Sequence, residues 1–405
     1  MIKNKDFILL LIGRVISNFG DSIYHIATMT LIYELTSSSF YTGLALFLTS
    51  FMAIFQMILS PILNRINIRK FLYISQLIQA IMLIVLAYLY INDQLSVLKI
   101  LIIMPLVSLI NQMVYPAQIS LLPKILKDDQ LIKANSFFQV AYQGVDALFN
   151  ALGGIIISIF GFFIAYIIDA TTFIITFMAF LSLKKSIGLY SKQSQKSDIG
   201  LIKNHFMSLK NSLSFWKENS LIPILIGGIL INFNATAIYS ILPEYTGTKI
   251  FYSILLSSSG IGILIGSIMA NMKFIRRFKI SKLYSALVIF LSLCWGIMSI
   301  IKPSYNVNKI IVFALFSFGW ISIGIVNIFS QTLVQILSSK ENLASIMASM
   351  LGLSVAISPL GALFGGIIAS LLNVNALILI SSISILIIGL LWHFTNMIDS
   401  IDRLE

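Results

Sequence analysis

Apolar residues run through this chain in twelve long blocks, near 7–33, 41–63, 71–91, 98–121, 134–160, 162–183, 220–243, 250–272, 283–301, 308–333, 343–371 and 374–396, with short polar stretches between them. A run of about 20 mainly apolar residues crosses the hydrocarbon core of a bilayer as a helix. The pattern therefore predicts an all-α polytopic membrane protein with 12 transmembrane helices. Composition agrees: charged residues are 10% of the 405 and hydrophobic ones 58%, where a soluble domain carries roughly 25% charged residues. The first span is too long, and too continuous with the rest of the fold, to read as a cleaved signal peptide. No polar stretch is long enough for a soluble catalytic domain, and no nucleophile and base can be placed in one site, so an enzyme is not expected.

Charge sets the orientation. With both termini cytoplasmic, only four of the 27 Lys and Arg fall on the outside: Lys99, Lys249, Lys302 and Lys309. That is the positive-inside pattern, and it fixes the orientation; the cytoplasmic membrane is the expected location. The net charge of +12 then reflects basic loops facing anionic membrane lipids and needs no nucleic acid. Cys294 is the sole cysteine, and His25, His205 and His393 are far apart; neither a disulfide nor a metal site is expected. Gly153-Gly154 and Gly365-Gly366 lie inside apolar blocks, where small residues mean close helix packing and not a nucleotide cradle. No cofactor is expected.

Shifting the chain by 212 residues lays its second half on its first. Asn64-Arg65-Ile66-Asn67-Ile68-Arg69-Lys70 falls on Arg276-Arg277-Phe278-Lys279-Ile280-Ser281-Lys282, Leu131 on Leu343, Gly153-Gly154 on Gly365-Gly366, and Tyr33 on Tyr245. Two six-helix repeats in parallel orientation result: a bundle over 1–183, a linker over 184–219, and a second bundle over 220–405. The linker carries seven Lys, and Leu201, His205, Phe206, Leu209, Leu213 and Trp216 recur in it at helical spacing between Lys203, Lys210 and Lys217. It reads as a basic amphipathic helix on the cytoplasmic membrane surface, either a tether for moving halves or a site for a regulatory partner.

This layout, and several motifs, resemble the major facilitator superfamily. Residues 60–72, Ser60-Pro61-Ile62-Leu63-Asn64-Arg65-Ile66-Asn67-Ile68-Arg69-Lys70-Phe71-Leu72, are similar to its loop 2–3 signature G-x-L-a-D-R-x-G-R-K-x-x-L, with Asn64 in place of the Asp and Asn67 where Gly is common. Arg14-Val15-Ile16-Ser17-Asn18-Phe19-Gly20-Asp21, Tyr115-Pro116-Ala117, Leu122-Pro123, Ala134-Asn135-Ser136, Asp169-Ala170-Thr171-Thr172-Phe173 and Pro359-Leu360-Gly361-Ala362 resemble the branch that holds macrolide-efflux and enterobactin-export proteins. Residues 145–154 depart from the antiporter pattern G-x-x-x-G-P-x-x-G-G: Phe149 and Asn150 stand at its inner Gly-Pro, and only Gly153-Gly154 remain. The resemblance implies a monomer in which helices 1, 4, 7 and 10 line a central cavity.

Helical arithmetic supplies candidate residues, because positions i, i+4, i+7 and i+11 share one face. The first span aligns Arg14, Asn18, Asp21 and His25, and the fifth aligns Gln139, Gln143, Asp146 and Asn150. The tenth aligns Trp320, Gly324, Asn327 and Gln331, and the fourth Asn111, Tyr115 and Gln118, while the seventh is made polar by Asn232, Asn234, Tyr239 and Ser240. A charge at the bilayer centre costs at least about 2.5–3.5 kcal/mol, so these faces should avoid lipid. They bind substrate, or they join helices through hydrogen bonds worth about 0.6 kcal/mol each.

Asp21 and Asp146, in the middle third of their helices, are the candidates for carrying a proton or a substrate charge. The alternative is a fixed ion pair, with Arg14 serving a carboxylate on a neighbouring helix; Arg14 lies about 10 Å along the axis from Asp21 and does not pair with it directly. Asp169 lies on the sixth span, which the resemblance makes peripheral, so a structural role is expected. His25 is a proton relay or a surface histidine. Asn64, Arg65, Arg69 and Lys70 form a candidate cytoplasmic gating loop as well as an orientation signal.

These readings converge on a secondary transporter that uses a proton gradient to export an amphipathic small molecule: a drug, a macrolide or a siderophore-like metabolite. The direction of transport comes from the resemblance alone. The 29 Phe and 15 Tyr suit a lipophilic substrate, the Asn and Gln stripes a more polar one. The alternatives are a transporter of lysophospholipid between leaflets and a non-transporting receptor or immunity protein.

Overall fold

A computed structural model describes residues 4–59, 66–127, 130, 134, 137, 138, 141, 146–184, 216, 217, 221–270, 272, 275, 278–337, 350 and 352–394, with the side chains of 54, 56–59, 146, 147, 280 and 335–337 outside the described set. Eleven helices organise these residues: α1 (Lys5–Thr36), α2 (Ser39–Leu59), α3 (Ile68–Ile91), α4 (Val97–Ile125), α5 (Asp146–Leu181), α6 (Ile222–Thr246), α7 (Lys249–Met269), α8 (Ile280–Ile300), α9 (Asn306–Leu337), α10 (Ser358–Leu371) and α11 (Val374–Phe394). Polar side chains start several of them. Asn4 Oδ1 accepts from the amides of Asp6 and Phe7 at 3.0 and 3.2 Å, and Asn67 Oδ1 from that of Lys70 at 3.0 Å, so each cap satisfies amides that a first turn leaves open. Pro105, Pro116 and Pro123 sit inside α4 without ending it, as membrane helices allow when neighbours take up the freed carbonyls.

Ten segments are long and apolar enough to cross a membrane, and α2 holds a shorter apolar stretch, Ser39–Ala53. One of the ten, Leu148–Leu181, lies within the 36-residue α5, which would be about 54 Å long if straight, far beyond a hydrocarbon core of about 30 Å. The chain solves this at Gly161, where φ 76° and ψ 179° interrupt the helix, a conformation open only to a residue without Cβ. Neighbours along α1 show that direction reverses there. On the first arm (146–160), Phe149 meets Phe19 at 5.1 Å between ring centroids, and the Cβ position of Gly153 faces Ile26. On the second arm (162–181), Tyr166 lies beside Tyr24, Asp169 at Gly20, and Thr176 and Phe180 at Gly13. One arm climbs α1 and the other descends it. Counting α5 twice and adding α2 gives the twelve crossings read from the sequence.

The chain forms two compact units: 1–194 with 246–257, and 195–245 with 258–405. The sequence assigns 246–257 to the second bundle, whereas in the structure it packs within the first unit. The reason is local. Gly154 lets Ser253 and the carbonyl of Lys249 approach, Lys249 Nζ lies 3.1 Å from Glu34 Oε1, and the same ammonium lies 4.0 Å from the centroid of Phe162.

In the first unit α1 and α3 pack on α5, and α4 packs on α2 and α3, around a core that includes Phe7, Leu10, Leu72, Leu121, Phe138 and Phe180. In the second, α8 packs on α9 and α11, and α10 on α11. At the 212-residue offset the α3–α4 contact becomes α8–α9, and the contact of α3 with α5 becomes α8–α11, so the duplication survives as packing. Of the linker, Lys184, Trp216 and Lys217 are described; its remaining residues, including most of the expected amphipathic helix, lie outside the described residues. Trp216, expected on the apolar face of that helix at the membrane surface, is instead 1% exposed inside the second unit.

Candidate functional site

The first unit gathers the charged residues of the α1 face. Arg14 is 2% exposed and Asn18 4%. Arg14 Nη2 donates to Asn18 Oδ1 one turn above, and Asn18 Nδ2 donates to the carbonyl of Ala141 at 2.5 Å, tying α1 to the stretch before α5. The guanidinium carbon lies 6.0 Å from the centroid of the Tyr115 ring, within cation–π range. Gln118, on the same face of α4 as Tyr115, is fully buried and donates to the carbonyl of Leu10 at 3.5 Å. Thus Arg14, Asn18 and Tyr115, chosen from spacing, do meet, and Gln118 joins the same two helices one turn below Arg14. Higher on α1, Asp21 is half-buried and Ser17 Oγ donates to its Oδ2 at 3.4 Å. His25 is half-buried another turn on.

The other first-unit candidates divide. Asn150 is buried on the first arm of α5. Asn111 holds its Oδ1 buried, without a hydrogen-bond partner among the described residues, while its neighbours Ser108 and Gln112 donate to the carbonyl of Thr49 on α2 at 3.2 and 3.3 Å. Gln139 and Gln143 lie outside the described residues, as does the side chain of Asp146, whose backbone opens α5. The expected gating loop is described only at its end, since Asn64 and Arg65 also lie outside. Arg69 Nη2 donates to the carbonyl of Leu181 at 2.5 Å, and its guanidinium carbon is 5.7 Å from the Tyr73 ring centroid. That is a cation capping the last turn of α5, which the helix dipole favours. Lys70 contributes its backbone amide to the Asn67 cap.

In the second unit the polar face of α9 opens on a cavity of about 210 Å³, lined among others by Trp216, Asn232, Tyr284, Asn327, Gln331 and Trp392. Trp216, Tyr284 and Trp392 supply aromatic surface. Asn232, Asn327 and Gln331 supply amides, with Asn232 Nδ2 also donating to the carbonyl of Gly228 at 3.0 Å. Tyr284 Oη bonds to the carbonyl of Val326 at 3.1 Å and to Ser330 Oγ, which fixes the ring in the wall. Tyr284, Trp392 and Trp216 are not among the cavity residues expected from spacing. The apolar and aromatic positions of the ninth and twelfth spans look like ordinary packing, and only the cavity distinguishes them.

Three expected cavity residues turn elsewhere. Asn234 is buried and donates to Leu230 O at 2.8 Å and to Ser384 Oγ of α11 at 3.2 Å. Two residues turn a helix by about 200°, so it cannot share a face with Asn232. Tyr239 stacks on Trp320, with centroids 5.3 Å apart and planes at 14°, and Trp320 also meets Phe316 and Trp295. These two build an aromatic cluster held against Gly262. Burial of a large aromatic surface explains their position without a ligand.

Helix order alone understates Asp169. It is 0% exposed and faces Gly20 of α1, within electrostatic reach of Asp21. The available signal is the glycine directly before Asp21, together with Thr172 one turn after Asp169.

Comparison with known proteins identifies the family and the fold. Residues 10–359 match the model of the Major Facilitator Superfamily. The uncharacterized MFS-type transporter YfmI of Bacillus subtilis (strain 168) is 30% identical over 186 residues, a stretch that spans 44% of each chain; the chain thus matches under half the length of that relative. The uncharacterized MFS-type transporter YvqJ of the same organism is 22% identical over 403 residues, 96% of this chain and 92% of that one. Among solved structures, the nucleoside transporter NupG superposes with a TM-score of 0.70 at 14% identity over 97% of this chain and 98% of its own, which establishes the fold. With its twelve crossings, its duplicated packing plan and this match over most of its length, the chain belongs to the major facilitator superfamily of multi-pass membrane transporters.

Proposed function

We propose that the protein is a proton-driven exporter of an amphipathic small molecule, such as a drug, a macrolide or a siderophore-like metabolite, acting as a monomer in the cytoplasmic membrane. The observation that carries this reading is the buried charged face of α1, where Arg14 and Asn18 are hydrogen-bonded and Asp21 stands one turn above. Ionisable groups inside a membrane are expensive, and they are retained where they move or recognise charge. Asp21 is suited to take a proton from one side and release it to the other, and Arg14 to hold the face in register through Asn18. The cavity of the second unit pairs aromatic surface with three amides, a lining that suits a molecule with an apolar body and a few polar groups. No cofactor enters this scheme; the proton gradient supplies the work. Export, as the direction, rests on the resemblance to macrolide-efflux and enterobactin-export proteins.

The test is accumulation of dyes, macrolides and siderophores in an efflux-deficient bacterial strain expressing the chain, with and without a protonophore, beside Asp21→Asn. Lowered accumulation that is lost in both controls supports the reading. Unchanged accumulation of every compound, with the protein present in the membrane, counts against it and favours lysophospholipid transfer or a receptor.

A further inference from the structure

The most deeply buried acid among the described residues is Asp169, which the export scheme above does not use. The Thr172 hydroxyl donates to the main-chain carbonyl of Asp169 at 2.7 Å and lies 3.2 Å from its Oδ1, and Asp169 Oδ2 is buried with no hydrogen-bond partner among the described residues. Opposite it α1 presents Gly20, where a Cβ would take the place of Asp169 Oδ1 and Thr172 Oγ1. The helices therefore close directly on the carboxyl.

The titratable groups around it come from several elements. From α1 come Asp21 and Tyr24, and from the second arm Tyr166, whose ring centroid is 6.1 Å from that of Tyr24. The Thr28 hydroxyl lies beside both phenols. From α3, Tyr90 acts on Tyr166, while Tyr73 meets Phe177 and Arg69 meets Leu181, both further down the arm. From 246–257, Lys249 sits over Phe162, about two turns away, and Tyr252 is buried. Asp21, next to Gly20, is within electrostatic reach of Asp169, and on its own helix it has His25 one turn above and Arg14 two turns below.

A carboxylate closed into an apolar seam with no donor at Oδ2 is an uncompensated buried charge, which costs several kcal/mol. A proton on Asp169 removes that charge. Hard metal cations gather about six oxygen ligands, more than two carboxyls and a hydroxyl provide. We propose that Asp169 is an exchangeable proton-binding site between α1 and the second arm of α5. Within the proton-driven reading, on which its transport role rests, it holds the coupling proton. Loading forms one O–H bond on Oδ2, release breaks it, and the half-buried Asp21 passes the proton to and from water.

The test is infrared spectroscopy of the full chain in lipid vesicles, following the C=O stretch of a protonated carboxyl as pH is raised. The wild type is expected to show a band that disappears on titration. Asp169→Asn should lack it, and Asp21→Asn should keep it while moving the pH at which it disappears. Thr172→Val, which preserves size but removes the hydroxyl 3.2 Å from Oδ1, should shift the stretching frequency, and it serves if Asp169→Asn fails to fold. A band untouched by Asp169→Asn or Thr172→Val, no band in the wild type, or loss of the band on adding sodium at constant pH would each overturn the proposal. If the band behaves as expected while export ignores a protonophore, the proton site stands and the export reading falls. Protonophore-sensitive export with a band indifferent to Asp169 does the opposite: the export reading stands and the proton site at Asp169 falls.

Discussion

At an offset of 212 residues α1 of the first unit falls on α6 of the second, and the charges vanish position by position: Arg14 corresponds to Ile226, Asn18 to Leu230, Asp21 to Phe233 and His25 to Ala237. On the partner arm Asp169 corresponds to Ser381 and Thr172 to Ser384. The slot keeps its character, since Ser381 Oγ is also buried without a hydrogen-bond partner among the described residues, but only the first unit fills it with a titratable group. The tenth span shows the reverse trade, with Tyr115 replaced by Asn327 beside Gln331 on the cavity wall. One packing plan thus serves two chemistries, ionic in the first unit and neutral in the second.

The strongest way to break that division is to write the first unit's charge into the second. Phe233→Asp removes a ring packed 5.4 Å from Phe364 and inserts a charge with no arginine one helical face away. It should lower stability by about 3 kcal/mol, read as lost membrane-inserted protein and a reduced Tm in detergent. The repeated glycines come next. At Gly365 a Cβ would strike the carbonyl oxygen of Ala237, whereas at Gly153 the nearest atom is Ile26 Cδ1 at 3.0 Å, the tip of a flexible side chain. Gly365→Ala should therefore cost about 1–3 kcal/mol and Gly153→Ala visibly less, compared by thermal unfolding.

A third comparison concerns transport. On the proposed reading, Asn327→Leu and Gln331→Leu should raise the KM of a transported compound several-fold while its protonophore sensitivity persists; Asp21→Asn should do the reverse, removing the sensitivity. Equal effects on both readouts would mean that the two units share the task. The smallest effect is expected at Glu34, where the ion pair with Lys249 involves a carboxylate that is 46% exposed. Glu34→Gln should change Tm by the equivalent of less than about 1 kcal/mol, and less still at high salt.

The sequence makes the fold legible because bilayer length and the 212-residue repeat are both one-dimensional signals. It makes the α1 face legible because Arg14, Asn18 and Asp21 keep a helical spacing that lipid would penalise. It fails where a decision is three-dimensional. Asn234 and Asn232 are polar near-neighbours that point to opposite sides of α6. Trp320 has the spacing of a cavity residue but spends its surface on Tyr239, Phe316 and Trp295. Asp169 looks peripheral by helix number, and it becomes interior only because Gly20 lets two helices touch around it. Tyr284 and Trp392 carry no polar periodicity, so nothing short of the cavity itself marks them.

The turn at Gly161 bears on how the protein is made. Because a single residue reverses the chain, no hydrophilic segment separates the two arms of α5, and nothing there needs to be carried through the membrane ahead of the second arm. Two apolar arms joined by one residue are suited to enter the bilayer together as one hairpin. Any residue with a Cβ at 161, however small, would strain that turn although the space around it is open, and the expected first symptom is impaired insertion of the hairpin.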